Sequence, residues 1–373
     1  MDSQVSIIKC ADYTPQLVEV SVRKAIGLLG GITRYIKPGS KVLVKPNMLM
    51  AKEPEYGIDT HPEVVRQVIR VLKDNNCHIF VGDGPSVWGN EIENVDEVYR
   101  RSGISKVCQE EKVELVKFDK RRMRAKFPLT TWLDQCDHLV NIPKLKTHGL
   151  TLFTGAIKNL FGLVSGTFKT ELHKNYFQIE EFSKIVVDVY AEAKPALTII
   201  DGIVAMEGDG PATGGKLRSL GLLLAGKDCV ALDSVAAKII GVEPLDVLST
   251  REASQRGLGT ADLQAIKILG EKLEDLKVKP FLLPASTPLN KKLPKPLINA
   301  LKRLVRYYPY PVRNNCTRCF ACVKICPDKC ISMQGKGIVF DYRRCIACFC
   351  CQEACPSAAI RIKKSLLAKI IGL

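Results

Sequence analysis

Aromatic side chains are scarce in this chain. Twelve Phe, ten Tyr and two Trp make up 6% of 373 residues, so a core must be built mainly from aliphatic groups. Apart from Tyr307, Tyr308 and Tyr310, it lacks the interleaved basic and aromatic residues of a single-strand nucleic-acid surface, and no nucleic-acid partner is expected. No apolar run reaches the roughly 18 residues that a membrane-crossing helix needs, so no transmembrane segment is expected. Residues Met1 to Cys10 carry neither a basic n-region nor an apolar h-region. The expected location is therefore the reducing cytoplasm, where disulfides are disfavoured. Neither G-x-G-x-x-G nor a Walker A loop occurs, which leaves no built-in nicotinamide or ATP site. The C-x3-C-x2-C loop of radical iron–sulfur enzymes is also missing.

Fifteen cysteines are present, and without disulfides they read as metal ligands or free thiols. Eight of them form two copies of one motif. The first is Cys316-x2-Cys319-x2-Cys322-x3-Cys326-Pro327, and the second is Cys345-x2-Cys348-x2-Cys351-x3-Cys355-Pro356. This is the spacing of two-cluster bacterial ferredoxins. A short loop wraps three thiolates around three corners of a cubane, and the cysteine before proline crosses to the other one. The expectation is two [4Fe–4S] clusters, the first on Cys316, Cys319, Cys322 and Cys355, the second on Cys345, Cys348, Cys351 and Cys326. Thiolates also suit zinc, but the doubled spacing with its two prolines favours iron–sulfur. The copies are offset by 29 residues, which sets Cys330 opposite Ala359 and Cys350 opposite Ala321, so both extra cysteines read as packing residues. Cys10, Cys77, Cys108, Cys136 and Cys229 lack ligand spacing and read as core.

Net charge is +16 but uneven. Residues 271–373 hold 20 Lys and Arg against 6 Asp and Glu, a net of +14, which leaves +2 for residues 1–270. Two oxidised clusters with eight thiolates would offset part of this and leave about +10, enough to attract an acidic redox partner protein or an anionic surface. A solvated basic face without a partner is the plainer alternative.

Residues 1–270 alternate β-branched runs with amphipathic segments. Val5–Ile8, Val42–Val44, Ile79–Val81, Leu115–Phe118, His138–Ile142, Leu197–Ile200 and Leu220–Leu224 read as strands, and several are apolar throughout, as when both sheet faces are covered. Gln16–Leu29, Pro62–Leu72, Glu180–Glu192 and Cys229–Ile240 read as helices. The fold class expected is α/β, a largely parallel sheet covered by helices, plus a small C-terminal α+β ferredoxin-like module. Residues 271–312 are Pro-rich and basic and read as a connector with a short helix over Leu297–Tyr307. Residues 313–362 are the module, and 363–373 are a tail that reads as a short amphipathic helix.

Four of the expected strands run into polar ends: Lys45-Pro46-Asn47, Gly82-Asp83-Gly84-Pro85-Ser86, Pro143-Lys144-Leu145-Lys146-Thr147-His148, and Asp201-Gly202 followed by Glu207-Gly208-Asp209-Gly210-Pro211. In open α/β sheets ligands bind outside the carboxyl ends of strands. Parallel strands would gather Lys45, Lys144, Lys146 and His148 beside Asp83, Asp201 and Glu207, with His173 near the group. Lys158-Asn159, in the apolar and helix-like stretch Leu152–Leu163, would point there too. Several lysines suit an anionic small molecule, while nearby acids suit metal binding or proton transfer. Lys146, His148, Lys158, Asp83, Asp201 and Glu207 are the candidate catalytic residues; Lys45, Asn47, Lys144 and Asn159 are candidate substrate contacts. Gly208, Gly210, Gly214 and Gly215 suit a backbone anion nest or a plain turn. His61 reads as preceding a helix start.

These motifs resemble the family known as domain of unknown function 362, in the form fused to a ferredoxin module. The matching pieces are Val44-Lys45-Pro46-Asn47, Gly82-Asp83-Gly84, Asn141-Ile142-Pro143-Lys144-Leu145-Lys146-Thr147-His148, Gly155-Ala156-Ile157-Lys158-Asn159, Ile200-Asp201-Gly202, Met206-Glu207-Gly208 and Val230-Ala231-Leu232-Asp233. The resemblance implies that these polar positions form the family's site, and it names no substrate. Two functions fit: an iron–sulfur oxidoreductase that passes electrons to an anionic small molecule, or a non-catalytic relay or metabolite-binding partner protein.

Overall fold

The computed structural model describes residues 3–85, 94–164, 168, 169, 172, 176, 179–286, 307–335 and 337–365. The helix expected over Leu297–Tyr307, the tail beyond residue 365 and His173 fall outside these, except that Tyr307 is described and begins a strand.

The sheet strands in chain order are β1 (Ser3–Lys9), β2 (Lys41–Pro46), β3 (His78–Val81) and β4 (Glu114–Leu115). A separate hairpin, β5 (Arg121–Arg124) with β6 (Phe127–Thr130), comes next. Then follow β7 (His138–Ile142), β8 (Lys144–His148), β9 (Leu152–Thr154), β10 (Leu197–Gly208), β11 (Gly215–Gly226) and β12 (Ile266–Gly270). The order is β12-β1-β11-β10-β7-β2-β3-β4, with β8 joined to β10 and β9. Pairs β1/β12, β10/β7, β10/β8, β7/β2, β2/β3 and β3/β4 are parallel, while β11 runs antiparallel to both its neighbours. The sheet is thus mostly parallel, as the alternating pattern predicts.

Two cores explain why the strands are apolar throughout. Leu43, Leu139, Ile200, Leu222 and Leu224 enter one; Val42, Val44, Val140, Ile199 and Leu223 enter the other. Successive side chains point to opposite faces, and helices cover both. On one face lies Pro62–Asp74, started by Pro62 and by His61, whose Nδ1 accepts from Glu63 N at 3.2 Å. Its buried Val64, Val65, Val68, Ile69, Val71 and Leu72 contribute roughly 1.5–3 kcal/mol each relative to exposure. On the other face lies Cys229–Ile239, capped by Asp228 through Val230 N (2.8 Å) and Ala231 N (3.0 Å).

The structure departs from the sequence expectation in several stretches, and β10 and β11 extend well beyond the strands expected over Leu197–Ile200 and Leu220–Leu224. Lys144–His148, read as a polar loop, is a strand with all five residues buried. Leu152–Leu163, read as helical, divides into β9, a short helix Ala156–Asn159 and a 3-10 turn Leu160–Leu163. Leu115–Phe118 is strand only at its first residue.

The cysteine-rich segment forms a small unit of its own. β13 (Tyr307–Pro311) pairs with β16 (Ile360–Lys364), and β14 (Ile331–Gln334) with β15 (Gly337–Phe340). Helices Ala321–Ile325 and Cys350–Glu353 lie between. β13 falls inside the span expected as connector; its two prolines suit an edge strand. Residues 271–286 cling to the large domain instead: Phe281 is buried, and Ala285 N donates to Asp209 Oδ1 at 2.7 Å.

The helix that carries Lys158 is held by a buried carboxylate. Asp233 accepts from Ala156 N (2.5 Å) and Ile157 N (3.0 Å). A Cβ at Gly155 would lie 2.2 Å from Asp233 Oδ1 and 2.6 Å from Phe153. Gly155→Ala is therefore expected to destabilise the protein by about 2–3 kcal/mol, read from chemical denaturation.

Candidate functional site

The carboxyl ends of β2, β3 and β7 line up with Asp201, midway along β10, and the charges there meet as ion pairs. Lys45 Nζ sits 2.8 Å from Asp83 Oδ1, and Lys144 Nζ 2.9 Å from Asp201 Oδ2; all four side chains are essentially inaccessible. An ammonium so deep survives only with a partner. Burial still pushes both lysines below their ordinary value, against the pull of their carboxylates.

Each pair is fixed in turn. Asp83 Oδ2 accepts from Met48 N at 2.9 Å, while Tyr99 Oη both accepts from Asp83 N (2.6 Å) and donates to Asp83 O (2.7 Å). Lys144 Nζ donates to Tyr13 Oη at 2.6 Å, and Tyr13 Oη donates to Asp201 Oδ1 at 2.9 Å. The ring of Tyr13 stacks on His61 at 3.5 Å. Burial beside the Lys144 ammonium lowers the His61 imidazole to about 4, Asp201 opposing.

Three further lysines form no contact ion pair with a described residue. Lys146 Nζ donates to Ile58 O at 2.6 Å. Lys158 Nζ lies over the rings of Phe161 (4.7 Å) and Phe182 (5.4 Å). Lys169 Nζ donates to Gly84 O. Desolvation lowers them to about 7, 8 and 7 respectively, so each holds its proton loosely near neutrality. Asn159 Nδ2 donates to Asn141 Oδ1 at 2.8 Å. Two amide oxygens buried nearby, Asn47 Oδ1 and Asn159 Oδ1, have no hydrogen-bond partner among the described residues.

A further charged wall comes from the cysteine-rich unit. Glu353, at the end of helix Cys350–Glu353, is buried, with Oε1 3.5 Å from His148 Nε2. Burial raises its carboxyl to about 7, opposed by Lys158 and Lys146. The same helix is fastened to the large domain: Gln352 Nε2 donates to Asp209 O (3.1 Å), and Thr213 Oγ1 donates to Cys355 O (2.7 Å) while accepting from Ala358 N (3.1 Å).

The edge therefore gathers Lys45, Lys144, Lys146, His148, Lys158, Asn159, Asp83 and Asp201. Glu207 is a correction. β10 continues through Asp201, bulges at Gly202–Val204 and ends at Gly208, so Glu207 lies farther along the strand. There it pairs with Arg218 at 2.8 Å and accepts from Leu282 N at 3.1 Å. The Gly208–Gly215 loop is occupied by packing: a Cβ at Gly210 would meet Thr147 O at 2.3 Å. Sequence reasoning missed Tyr13, Lys169 and Glu353. Only Glu353 carried a signal, as the lone acid inside the second cysteine motif.

Most of the motif cysteines pack in or against the core of the small unit. Burial pushes the Cys322 thiol up to about 12, helped by Cys355, Cys319 and Cys316. Cys351 is raised by burial and by Cys348, Cys345, Cys322 and Cys326. Cys326, Cys345, Cys348 and Cys351 line one cavity with Cys330, Ile331, Phe340 and Phe349. Alternating left-handed residues flank the cysteines, Arg318 (φ 57°) and Phe320 (φ 62°) in one copy, Ala347 (φ 55°) and Phe349 (φ 59°) in the other. Such loops turn successive N–H groups inward and form the concavities that hold iron–sulfur groups. Cys326 Sγ accepts from Cys330 N at 3.3 Å, and Cys355 Sγ from Ala359 N at 3.2 Å. Crowded thiols with such donors fit a cationic iron–sulfur core.

Breaking one buried pair has a defined cost. Asp201→Asn is expected to lose about 3–5 kcal/mol in urea unfolding, and Lys144→Met with Asp201→Leu to recover much of it.

The sequence pattern described as Domain of unknown function (DUF362) matches residues 42–238. Thylakoid-associated protein sll1697 of Synechocystis sp. is 29% identical over 321 residues, 84% of this chain and 98% of that protein. The lactate racemase apoprotein of Thermoanaerobacterium thermosaccharolyticum aligns at 15% identity and a TM-score of 0.38, over 61% of this chain and about half (54%) of that one, too loose a likeness to carry a site across. No described helix is long and apolar enough to cross a membrane. The match begins inside β2 and ends within the helix that holds Asp233, so it spans the strands whose ends carry the lysines: the chain belongs to the domain of unknown function 362 family.

Proposed function

We propose that this protein is an iron–sulfur oxidoreductase whose cysteine-rich unit serves an anionic small molecule bound among the lysines of the sheet edge. One observation carries the reading: Glu353, two residues from Cys351 and two from Cys355, reaches His148 in the lysine site. Cys316, Cys319, Cys322 and Cys355 would hold one [4Fe–4S] cluster, and Cys345, Cys348, Cys351 and Cys326 the other. Each cluster, when bound, supplies one electron at a time.

The chain's own residues divide the remaining work. Lys45 and Lys144 are neutralised by Asp83 and Asp201 and set the shape of the edge. Lys146, Lys158 and Lys169 are left to meet the charge of the ligand, and the Oδ1 atoms of Asn47 and Asn159 are left to accept from a hydroxyl or N–H group that the ligand carries. Lys146 and His148 are placed to give or take a proton, and Glu353 excludes water on the side of the cysteines. Holding donor and acceptor in one chain removes a bimolecular encounter. The internal neutralisation of two lysines also favours a second reading, a relay or metabolite-binding protein without chemistry; absence of turnover in the loaded protein would select it.

Anaerobically reconstituted protein should hold about eight irons, and a reduced donor should be reoxidised once substrate is added. Lys146→Ala or His148→Ala should abolish turnover and leave iron content unchanged; iron loss as well would mark those residues as structural. Affinity for inorganic sulfate, whose charge stays constant over this range, measured by calorimetry, should rise as pH falls from about 9 to about 6.5. Lys158, Lys146 and Lys169 gain protons through about 8, 7 and 7, and Glu353 loses its charge near 7, all in the same direction.

A further inference from the structure

The two halves of the cysteine-rich unit share one backbone and face opposite worlds. At the 29-residue offset, Arg318, Phe320 and Lys329 match Ala347, Phe349 and Ala358, and all six are left-handed. The sulfur-directed N–H groups of Cys330 and Ala359 match as well. Geometry therefore does not separate the halves, and the differences lie in their side chains and surroundings.

The second half is turned inward. Phe349 is 6% exposed and Cys348 is buried, Gln352 binds Asp209, and Glu353 meets the basic site. The first half is open. Phe320, in the same conformation as Phe349, is 43% exposed, and Cys319, the counterpart of Cys348, is the exposed cysteine of the described chain. Arg313, Arg318 and Lys324 are exposed around them, and no acid occurs from Arg313 to Pro327. Their counterparts in the inner half are Tyr342, Ala347 and Glu353. At one equivalent position the inner half thus carries a glutamate that faces a basic surface, and the outer half carries an exposed lysine.

We propose that the face from Arg313 to Lys324 docks the acidic surface of a small electron-carrier protein, with Phe320 as its apolar centre and Arg313, Arg318 and Lys324 as its rim. An exposed aromatic ringed by Arg and Lys has the composition of an interface hot spot, and the rim charge raises the rate of encounter. The inner half supplies the precedent on the same backbone, since its Glu353 is covered by a surface of opposite charge. A cluster held there by Cys316, Cys319, Cys322 and Cys355 would be reduced by one electron as the carrier is oxidised by one. The inner cysteines, beside Glu353, face the lysine site. This docking rests on the iron–sulfur reading above for its electron step, though not for its binding step.

The test uses the full chain, reconstituted anaerobically, with a reduced acidic [2Fe–2S] ferredoxin as probe. Fluorescence anisotropy reads association, and stopped-flow bleaching reads reduction. Wild type should bind at low ionic strength and release at about 0.5 M salt. Arg318→Glu with Lys324→Glu should weaken association at least about tenfold, and Phe320→Ala should weaken it without changing the salt slope. Bleaching by dithionite, which needs no docking face, should be the same in all variants. Undiminished affinity in the charge-reversed variant overturns the proposal, as does salt-sensitive binding to phosphatidylglycerol vesicles with none to the ferredoxin. Wild type that dithionite does not bleach would instead refute the iron–sulfur reading, while anisotropy still judges the docking face.

Discussion

Five lysines gathered at the edge of one sheet set the terms for the rest of this molecule. An ammonium taken out of water is costly unless opposite charge and hydrogen-bond acceptors come with it. Asp83 and Asp201 meet two of the five directly, and each is itself locked by groups from another part of the chain, Tyr99 and Met48 for one, Tyr13 and His61 N for the other. Gly162 belongs to the same constraint, because a Cβ there would lie 2.3 Å from Asp83 Oδ1 and 2.6 Å from Lys45 Nζ. The cysteine-rich unit enters the same balance through Glu353. Fold, site and module are thus coupled through one electrostatic problem.

Much of the sheet was legible because its strands are short, β-branched and buried on both faces, so their apolar runs stand out. His138–Ile142 matches its strand at both ends. β8 was not legible: Lys-Leu-Lys-Thr-His after a proline has the composition of a loop, and only the acids and carbonyls brought by distant segments make those lysines tolerable inside. Glu207 was misplaced for a related reason. The run Leu197–Ile200 stops being apolar at Asp201, yet the strand continues past a bulge, because β11 supplies a partner along its whole length. Local polarity marked an end that pairing overrode.

The cysteines were the opposite case. Their spacing alone predicts which should converge, and most of them pack into the core of one small unit. The duplication was readable as an offset of 29, but its asymmetry was not, since nothing local says that Phe349 is covered and Phe320 is open. Burial of one copy is decided by Asp209, Thr213 and His148, far away in the chain. Lys169 and Tyr13 likewise gain meaning only from Gly84, Lys144 and Asp201, partners remote in sequence.

The position of Glu353 in the chain has a consequence for how the molecule is made. A ribosome releases the sheet and all five lysines long before residue 353 emerges, and domains generally fold in the order in which they appear. The newborn α/β body must therefore wait with its basic edge open on one side. Closure comes only when the last cysteines arrive, so completing the lysine pocket and finishing the thiol-rich unit are one event in the protein's biogenesis.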